Sequence, residues 1–162
     1  MSELYRGRDW LRQYDQHRQQ RLNRRLHAIG LPLAALGLLM LLWSLTPPVH
    51  LPLTLRLLNP ALLAVMVLVA YGFFIGPVLA LCMAGLSIPI LSCLNWLDRL
   101  GMELGWSGIG LIFAGWLLLV AGHRHEGNRP VFLGRLQYLP VGLYWLLDCA
   151  LRRLLPGQAQ SR

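Results

Sequence analysis

The chain has 162 residues, of which 56% are hydrophobic and only 14% charged, and its formal net charge is +8. A soluble domain carries about 25% charged residues, so an ordinary soluble enzyme and a disordered tail are both excluded. All 15 basic residues are arginines, and those that precede the first apolar run are Arg6, Arg8, Arg12, Arg18, Arg21, Arg24 and Arg25. This distribution is typical of a membrane protein with a basic cytoplasmic end.

Residues 1–28 form a predicted cytoplasmic segment that leads into the first span. Its apolar positions are spaced like one face of a weakly amphipathic helix: they are Leu11, Tyr14, Leu22 and Leu26. On such a helix Asn23 and His27, four residues apart, share a face. His17 lies ten residues before His27 and therefore near the same side.

The apolar runs predict an all-α integral membrane bundle of four to five transmembrane helices, contained in residues 29–155. A bilayer core needs about 20 apolar residues per helix. The uncharged stretch 57–97 is too long for one helix, and Gly76 with Pro77 offers a break. The predicted spans are 29–45, 57–75, 77–97 and 104–122, followed by a shorter segment 136–151 that either crosses or lies at the interface. Residues 156–162 form a frayed tail.

The arginines between the spans predict the topology. The loop 123–135 carries three arginines and is predicted to be cytoplasmic, whereas 46–56 and 98–103 are predicted to lie outside. Four spans then separate His27 from His123, and an even number returns the chain to its starting side. The two polar, histidine-bearing segments therefore meet at the cytoplasmic face. We expect a bacterial inner membrane protein.

The second polar segment, GHRHEGNRP over residues 122–130, supplies the remaining histidines of interest. His123 and Glu126 share a turn if the chain is helical, whereas His123 and His125 share a side only if it is extended. Neutral imidazoles with a carboxylate suit iron, zinc, copper or nickel, and sites with open positions suit oxygen chemistry on iron(II). The alternative is that histidines here anchor the protein at the interface and arginines bind anionic lipid.

Two further ionisable residues need separate interpretation. His50 falls on the opposite face in this topology and is expected to be an ordinary loop residue. Asp148 sits in an apolar run, where an ionisable group is a functional candidate. Asp148 could equally pair with Arg152 at i+4 near the helix end.

The order of these polar residues resembles the small membrane proteins related to the fungal 2-hydroxy fatty acid dioxygenase of phytosphingosine breakdown. That family opens with a Tyr and His region, then N-x-x-x-H and a Pro at the first span, and later has Gly-His, a Glu and an Arg-Pro. The matching residues are Tyr14, His17, Asn23, His27, Pro32, Gly122, His123, Glu126, Arg129, Pro130 and Pro140. The spacings around Tyr14, His17 and Glu126 differ from the family pattern by one residue.

The resemblance implies an iron(II)-dependent dioxygenase that shortens a 2-hydroxy fatty acid by one carbon with O2. Under this hypothesis the metal ligands are His17, His27 and His123, with His125 or Glu126 as a fourth. Asn23 would orient a ligand or bound oxygen. On chemical grounds alone, Arg124 or Arg129 could pair with the substrate carboxylate, because a guanidinium binds a carboxylate bidentately.

Other functions fit the sequence less well. A non-enzymatic membrane scaffold or lipid-binding protein would leave the histidines incidental. A lipid hydroxylase or desaturase would show H-x-x-x-H and H-x-x-H-H boxes, which the sequence lacks. A transporter would need more ionisable groups within the spans and an inverted repeat. Nucleic acid is excluded as a partner because the basic residues run into a membrane span without a recognition motif.

Overall fold

The computed structural model describes the backbone of residues 21–45, 59–126 and 138–154, and the side chains within 23–45, 59–122 and 140–153. This part of the chain is helical, without strands. The helices are α1 (Arg21–Ser44), α2 (Pro60–Ile75), α3 (Pro77–Arg99), α4 (Leu104–Glu126) and α5 (Tyr138–Leu154). The all-α prediction is confirmed, and each helix overlaps a predicted apolar segment, although α1 and α4 also extend into the two polar segments.

Helices α1 and α4 form the most extensive helix pair of the described part. Gly37 of α1 faces Gly108 of α4, and a Cβ built on either one would lie 2.7 Å from the carbonyl oxygen of the other. Gly30 faces Gly115 in the same way, so residue numbers increase along α1 in the direction in which they decrease along α4. The pair is therefore antiparallel, with the two backbones in direct contact through glycines, as is common for membrane helices. We call this contact the glycine seam.

Helices α2 and α3 are separated by Gly76 alone and lie against each other. Pro77 begins α3 at a position where its missing N–H is not needed. Asn59 caps the other end of α2, where its side chain accepts a hydrogen bond of 2.8 Å from the Ala61 N–H. The break predicted at Gly76 and Pro77 is confirmed.

The core is divided between the two ends of the bundle. Met40 of α1, Leu94 of α3 and Leu104 of α4 pack together at the end where α3 passes to α4 through Gly101, which has a φ of 76°. The other cluster joins α2, α3 and α5, and its buried members are Ile75, Met83, Val141, Tyr144 and Trp145. Helix α5 thus closes the bundle on the side where α2 ends and α3 begins.

Three of these helices are long and apolar enough to cross a membrane: residues Asn23–Ser44, Pro77–Arg99 and Leu104–Gly122. Helix α2 has 16 residues, which is about 24 Å at 1.5 Å per residue and is short for a hydrocarbon core of about 30 Å. Helix α5 has 17 residues and ends with Arg152 and Arg153 in its last turn. The membrane assignment therefore depends mainly on α1, α3 and α4.

The glycine seam predicts opposite effects for two neighbouring substitutions. Gly108→Ala places a methyl group against the backbone of α1 and should lower the free energy of unfolding by about 1–3 kcal/mol. Gly110 faces open space. Because alanine has the higher helix propensity, Gly110→Ala should leave the free energy of unfolding unchanged or raise it by up to about 1 kcal/mol. Thermal unfolding in detergent measures both, and equal effects would contradict the close contact.

Candidate functional site

The site is built from the polar end of the glycine seam. Asn23 lies seven residues before Gly30, which lies seven before Gly37, and seven residues make nearly two helical turns. Asn23 therefore continues the row that faces α4. Opposite it stands Gly122, seven residues beyond Gly115. The register set by the glycines thus brings the start of α1 against the end of α4.

Asn23 and His27 are fully buried, each with 0% of its surface exposed. They lie one turn apart on α1, as their spacing predicted. The His27 Nδ1 is 3.0 Å from the backbone carbonyl oxygen of Asn23. Because a carbonyl can only accept, Nδ1 carries the proton and donates it. In the neutral ring Nε2 then holds the lone pair, which is the arrangement found in metal-binding histidines whose other nitrogen bonds a carbonyl.

The side chain of Asn23 is buried although its polar atoms make no hydrogen bonds. Both its Oδ1 and its Nδ2 lack a hydrogen-bond partner within the part of the chain that the structure describes. An unsatisfied buried amide costs about 1–3 kcal/mol. Such a group at the end of a helix seam marks a place where a ligand can supply the missing hydrogen bonds.

Gly122 makes room for both buried side chains. A Cβ at this position would stand 2.5 Å from Asn23 Oδ1 and 3.3 Å from His27 Nδ1. Any larger residue would displace Asn23, so the glycine is required by the close approach of the carboxamide. The start of α1 and the end of α4, which carry the two polar segments, therefore meet at one end of the bundle, as the sequence predicted. Of the four spans on which that prediction was based, three are long enough to cross a membrane.

Helix α4 continues through the second polar segment and ends at Glu126. Its last turn therefore holds His123, Arg124, His125 and Glu126. Of the two geometries that the sequence left open, the backbone has the helical one, with positions 123 and 126 one turn apart. The side chains of these four residues, and His17, His50 and Arg129 entirely, lie outside the described residues. Their proposed roles stay predictions.

Among the side chains that the structure describes, no three His, Cys, Asp or Glu residues come together in a way that could hold a metal ion. His27 is the described member of the predicted ligand set. The donor chemistry of His27 and the unsatisfied amide of Asn23 fit a metal or polar ligand at this point, and Gly122 leaves the room that the Asn23 carboxamide itself occupies. The other proposed ligands belong to the two segments that border it.

Two further charged residues remain to be described. Asp148 forms an ion pair of 2.8 Å with Arg152 at i+4, which confirms the second of its two interpretations. Arg24 has a contact that was not predicted: its guanidinium carbon lies 5.5 Å from the centre of the Trp145 ring of α5. No local pattern in the sequence indicated this contact, because Arg24 is exposed and Trp145 lies on a distant helix.

The unsatisfied amide predicts that Asn23 lowers stability. Asn23→Leu, of similar volume, should raise the free energy of unfolding by about 1–2 kcal/mol, because it removes buried polar atoms that lack partners. Asn59→Leu is the matched control: it removes a buried asparagine that caps α2 and should cost about 1 kcal/mol. Chemical denaturation in detergent checks both, and a destabilised Asn23→Leu variant would contradict this assignment.

Comparison with known proteins returned a family match. A search of curated proteins and a search of solved structures found no match. A family model described as 2-hydroxy-palmitic acid dioxygenase Mpo1-like matches residues 5–154. This range includes both polar segments and the five helices that the structure describes, and the family description names a dioxygenase of a 2-hydroxy fatty acid. The chain belongs to the Mpo1-like family.

Proposed function

We propose that the protein is an iron(II)-dependent dioxygenase that shortens 2-hydroxy fatty acids by one carbon at the membrane surface. The observation that supports this most is the meeting of Asn23 and His27 with Gly122, immediately before His123. It joins the two segments that carry four of the five histidines. Membership in the Mpo1-like family supports the substrate class and the oxygen chemistry.

The proposed reaction balances without a further reductant. Cleavage of the bond between carbon 1 and carbon 2 by one O2 converts the 2-hydroxy acid into the acid with one carbon fewer, CO2 and water. Carbon 2 is oxidised from an alcohol to a carboxyl group, and carbon 1 leaves as CO2. O2 accepts the four electrons. One O2 consumed for each CO2 released is therefore the expected stoichiometry.

In this proposal His27 provides one ligand through Nε2, and His17 and His123 provide two more. His125 or Glu126 is the fourth, and the helical backbone, which sets positions 123 and 126 one turn apart, favours Glu126. Imidazoles together with a carboxylate, with coordination positions left open, are a donor set that suits iron(II). When bound, the iron would activate O2 for the cleavage.

The remaining residues would hold the substrate and shape the site. Asn23 has an amide donor and an acceptor available for a ligand or for bound oxygen. Its backbone carbonyl fixes the orientation of the His27 ring, so Asn23 would orient both the ring and the bound ligand. Arg124 or Arg129 would pair with the substrate carboxylate. The complete burial of Asn23 and His27 keeps water from this end of the seam, and the acyl chain would lie among the apolar helices.

We further propose that the site end of the bundle is cytoplasmic and that the membrane is a bacterial inner membrane. The arginines at this end are Arg21, Arg24 and Arg25 at the start of α1 and Arg124 in the last turn of α4. The opposite end, where α3 passes to α4, has Arg99 with two acids, Asp98 and Glu103. An excess of arginine at one end favours a cytoplasmic location.

Removal of single histidines tests the proposal. We expect near-stoichiometric iron in the purified protein, measured by mass spectrometry. His27→Ala and His123→Ala should each lower iron at least tenfold, because a ligand is lost, and should abolish CO2 release from 2-hydroxypalmitic acid. His50→Ala is the control, since it removes a histidine outside both segments and should change neither quantity.

Three other results would each overturn a specific part of the proposal. Zinc in place of iron would keep the site and overturn the oxygen chemistry. Full iron content in both histidine variants would overturn the ligand assignment. Protein that holds no metal after anaerobic addition of iron(II) would overturn the enzyme and favour a lipid-binding scaffold.

A further inference from the structure

We propose that α5 does not cross the membrane but lies at its surface, on the side of the candidate site, with its arginines among the lipid headgroups. The sequence left both possibilities open for residues 136–151. Three features of α5 point to the surface: the residues that it touches, the length of helix beyond that contact, and the position of its charges. None of them depends on the proposed reaction.

Helix α5 packs against the end of the bundle that holds the candidate site. The buried cluster that it forms with α2 and α3 includes Ile75, the last residue of α2, and Met83, in the second turn of α3. Tyr144 of α5 donates a hydrogen bond of 2.8 Å to the carbonyl oxygen of Leu68, in the second half of α2. Because α3 passes to α4 at the opposite end of the bundle, these positions lie toward the site end.

The contact between Trp145 and Arg24 shows how little of α5 remains to cross the membrane. Arg24 belongs to the first turn of α1, next to Asn23, and its Cζ lies 5.5 Å from the centre of the Trp145 ring. From Arg24 to Ser44, α1 rises by 20 residues, or about 30 Å, which is the thickness of the hydrocarbon core. From Trp145 to Leu154, α5 has nine residues, or about 14 Å. Even on a straight inward course, α5 would end near the middle of the membrane.

The charges at the end of α5 exclude that inward course. Asp148 forms its ion pair of 2.8 Å with Arg152, and 69% of the Arg152 side chain is exposed. The next residue, Arg153, is exposed as well. On an inward course Arg152 would lie about 10 Å below Trp145, with its side chain exposed to lipid tails, where a charge is strongly unfavourable. A course along the surface leaves both arginines in the headgroup layer, where anionic phosphates attract them.

The residue pattern of α5 is also that of a surface helix. Helices α1, α3 and α4 are long and apolar enough to cross a membrane and α2 is apolar but shorter, whereas α5 belongs to neither group. Its buried apolar side chains face the bundle: Val141, Tyr144 and Trp145. The exposed side chains that the structure describes on α5 lie in its last five residues: Ala150, Arg152 and Arg153. Such a helix is held at the interface by its apolar face and by attraction of its basic residues to anionic lipid.

Cysteine labelling from each side of a sealed membrane tests this course. Single cysteines at exposed positions react with a sulfonated, membrane-impermeant maleimide in right-side-out and in inside-out vesicles. Ala150→Cys on α5 should be labelled from the same side as Arg25→Cys at the start of α1. Met102→Cys, between α3 and α4, should be labelled from the opposite side only, and Val67→Cys in the middle of α2 from neither side. The background replaces the native cysteines by alanine: Cys82, Cys93 and Cys149.

A second measurement tests contact with the headgroups. The Ala150→Cys protein is reconstituted in vesicles of phosphatidylcholine alone or with an equal part of phosphatidylglycerol. The negative surface potential of the second kind repels the anionic maleimide, so the labelling rate should fall about threefold to sevenfold. This repulsion fades within about 10 Å of the surface at 0.1 M salt. An uncharged maleimide should react at equal rates in both kinds of vesicle.

Three results would overturn the surface course of α5. If Ala150→Cys stays unlabelled like Val67→Cys, α5 enters the hydrocarbon core. If it is labelled from the side of Met102→Cys, α5 crosses the membrane. If the anionic maleimide reacts equally fast in both kinds of vesicle, α5 stands clear of the headgroups. Thermal unfolding in detergent checks that each variant is folded, and Arg153→Cys is the second probe should Ala150→Cys fail that check.

Discussion

The site depends on how closely two helices can approach. Where Gly30 and Gly37 face Gly115 and Gly108, backbone touches backbone, and a single methyl group would separate α1 from α4. Such contacts allow only one register, because a shift of one residue would drive larger side chains into the other helix. Membrane helices gain no hydrophobic stabilisation from association, so this packing is what holds the pair.

At the polar end of the same row, the register has a chemical consequence. Gly122 faces side-chain atoms of Asn23 and His27 rather than backbone, because α1 has Asn23 at the position that glycines occupy one and two heptads later. Only the absence of a side chain at Gly122 lets the carboxamide fit. Two polar side chains are thereby enclosed at a point where an apolar pair would be more stable. Groups kept at such a cost are typical of functional sites.

Much of this could be predicted from the sequence, and the reasons are physical. The lengths of the apolar runs predicted the helices, and Gly76 with Pro77 predicted the break between α2 and α3. The four-residue spacing of Asn23 and His27 predicted that they share one face of a helix. The seven-residue spacing of the glycines is also present in the sequence. Whether it forms a helix contact depends on which helix lies opposite, and no local pattern predicts that pairing. The contact of Arg24 with Trp145 could not be predicted, since it joins residues 121 positions apart.

A cross-link at the far end of the seam tests the register most directly without disturbing the site. A Cβ on Gly105 would lie 3.5 Å from the Ser44 Cβ, within the range of about 3.5–4.5 Å that disulfides require. In a background with Cys82, Cys93 and Cys149 replaced by alanine, Ser44→Cys with Gly105→Cys should form an intramolecular disulfide on mild oxidation. Ser44→Cys with Gly110→Cys should not. A disulfide in the second pair and none in the first would contradict the register, and with it the single site.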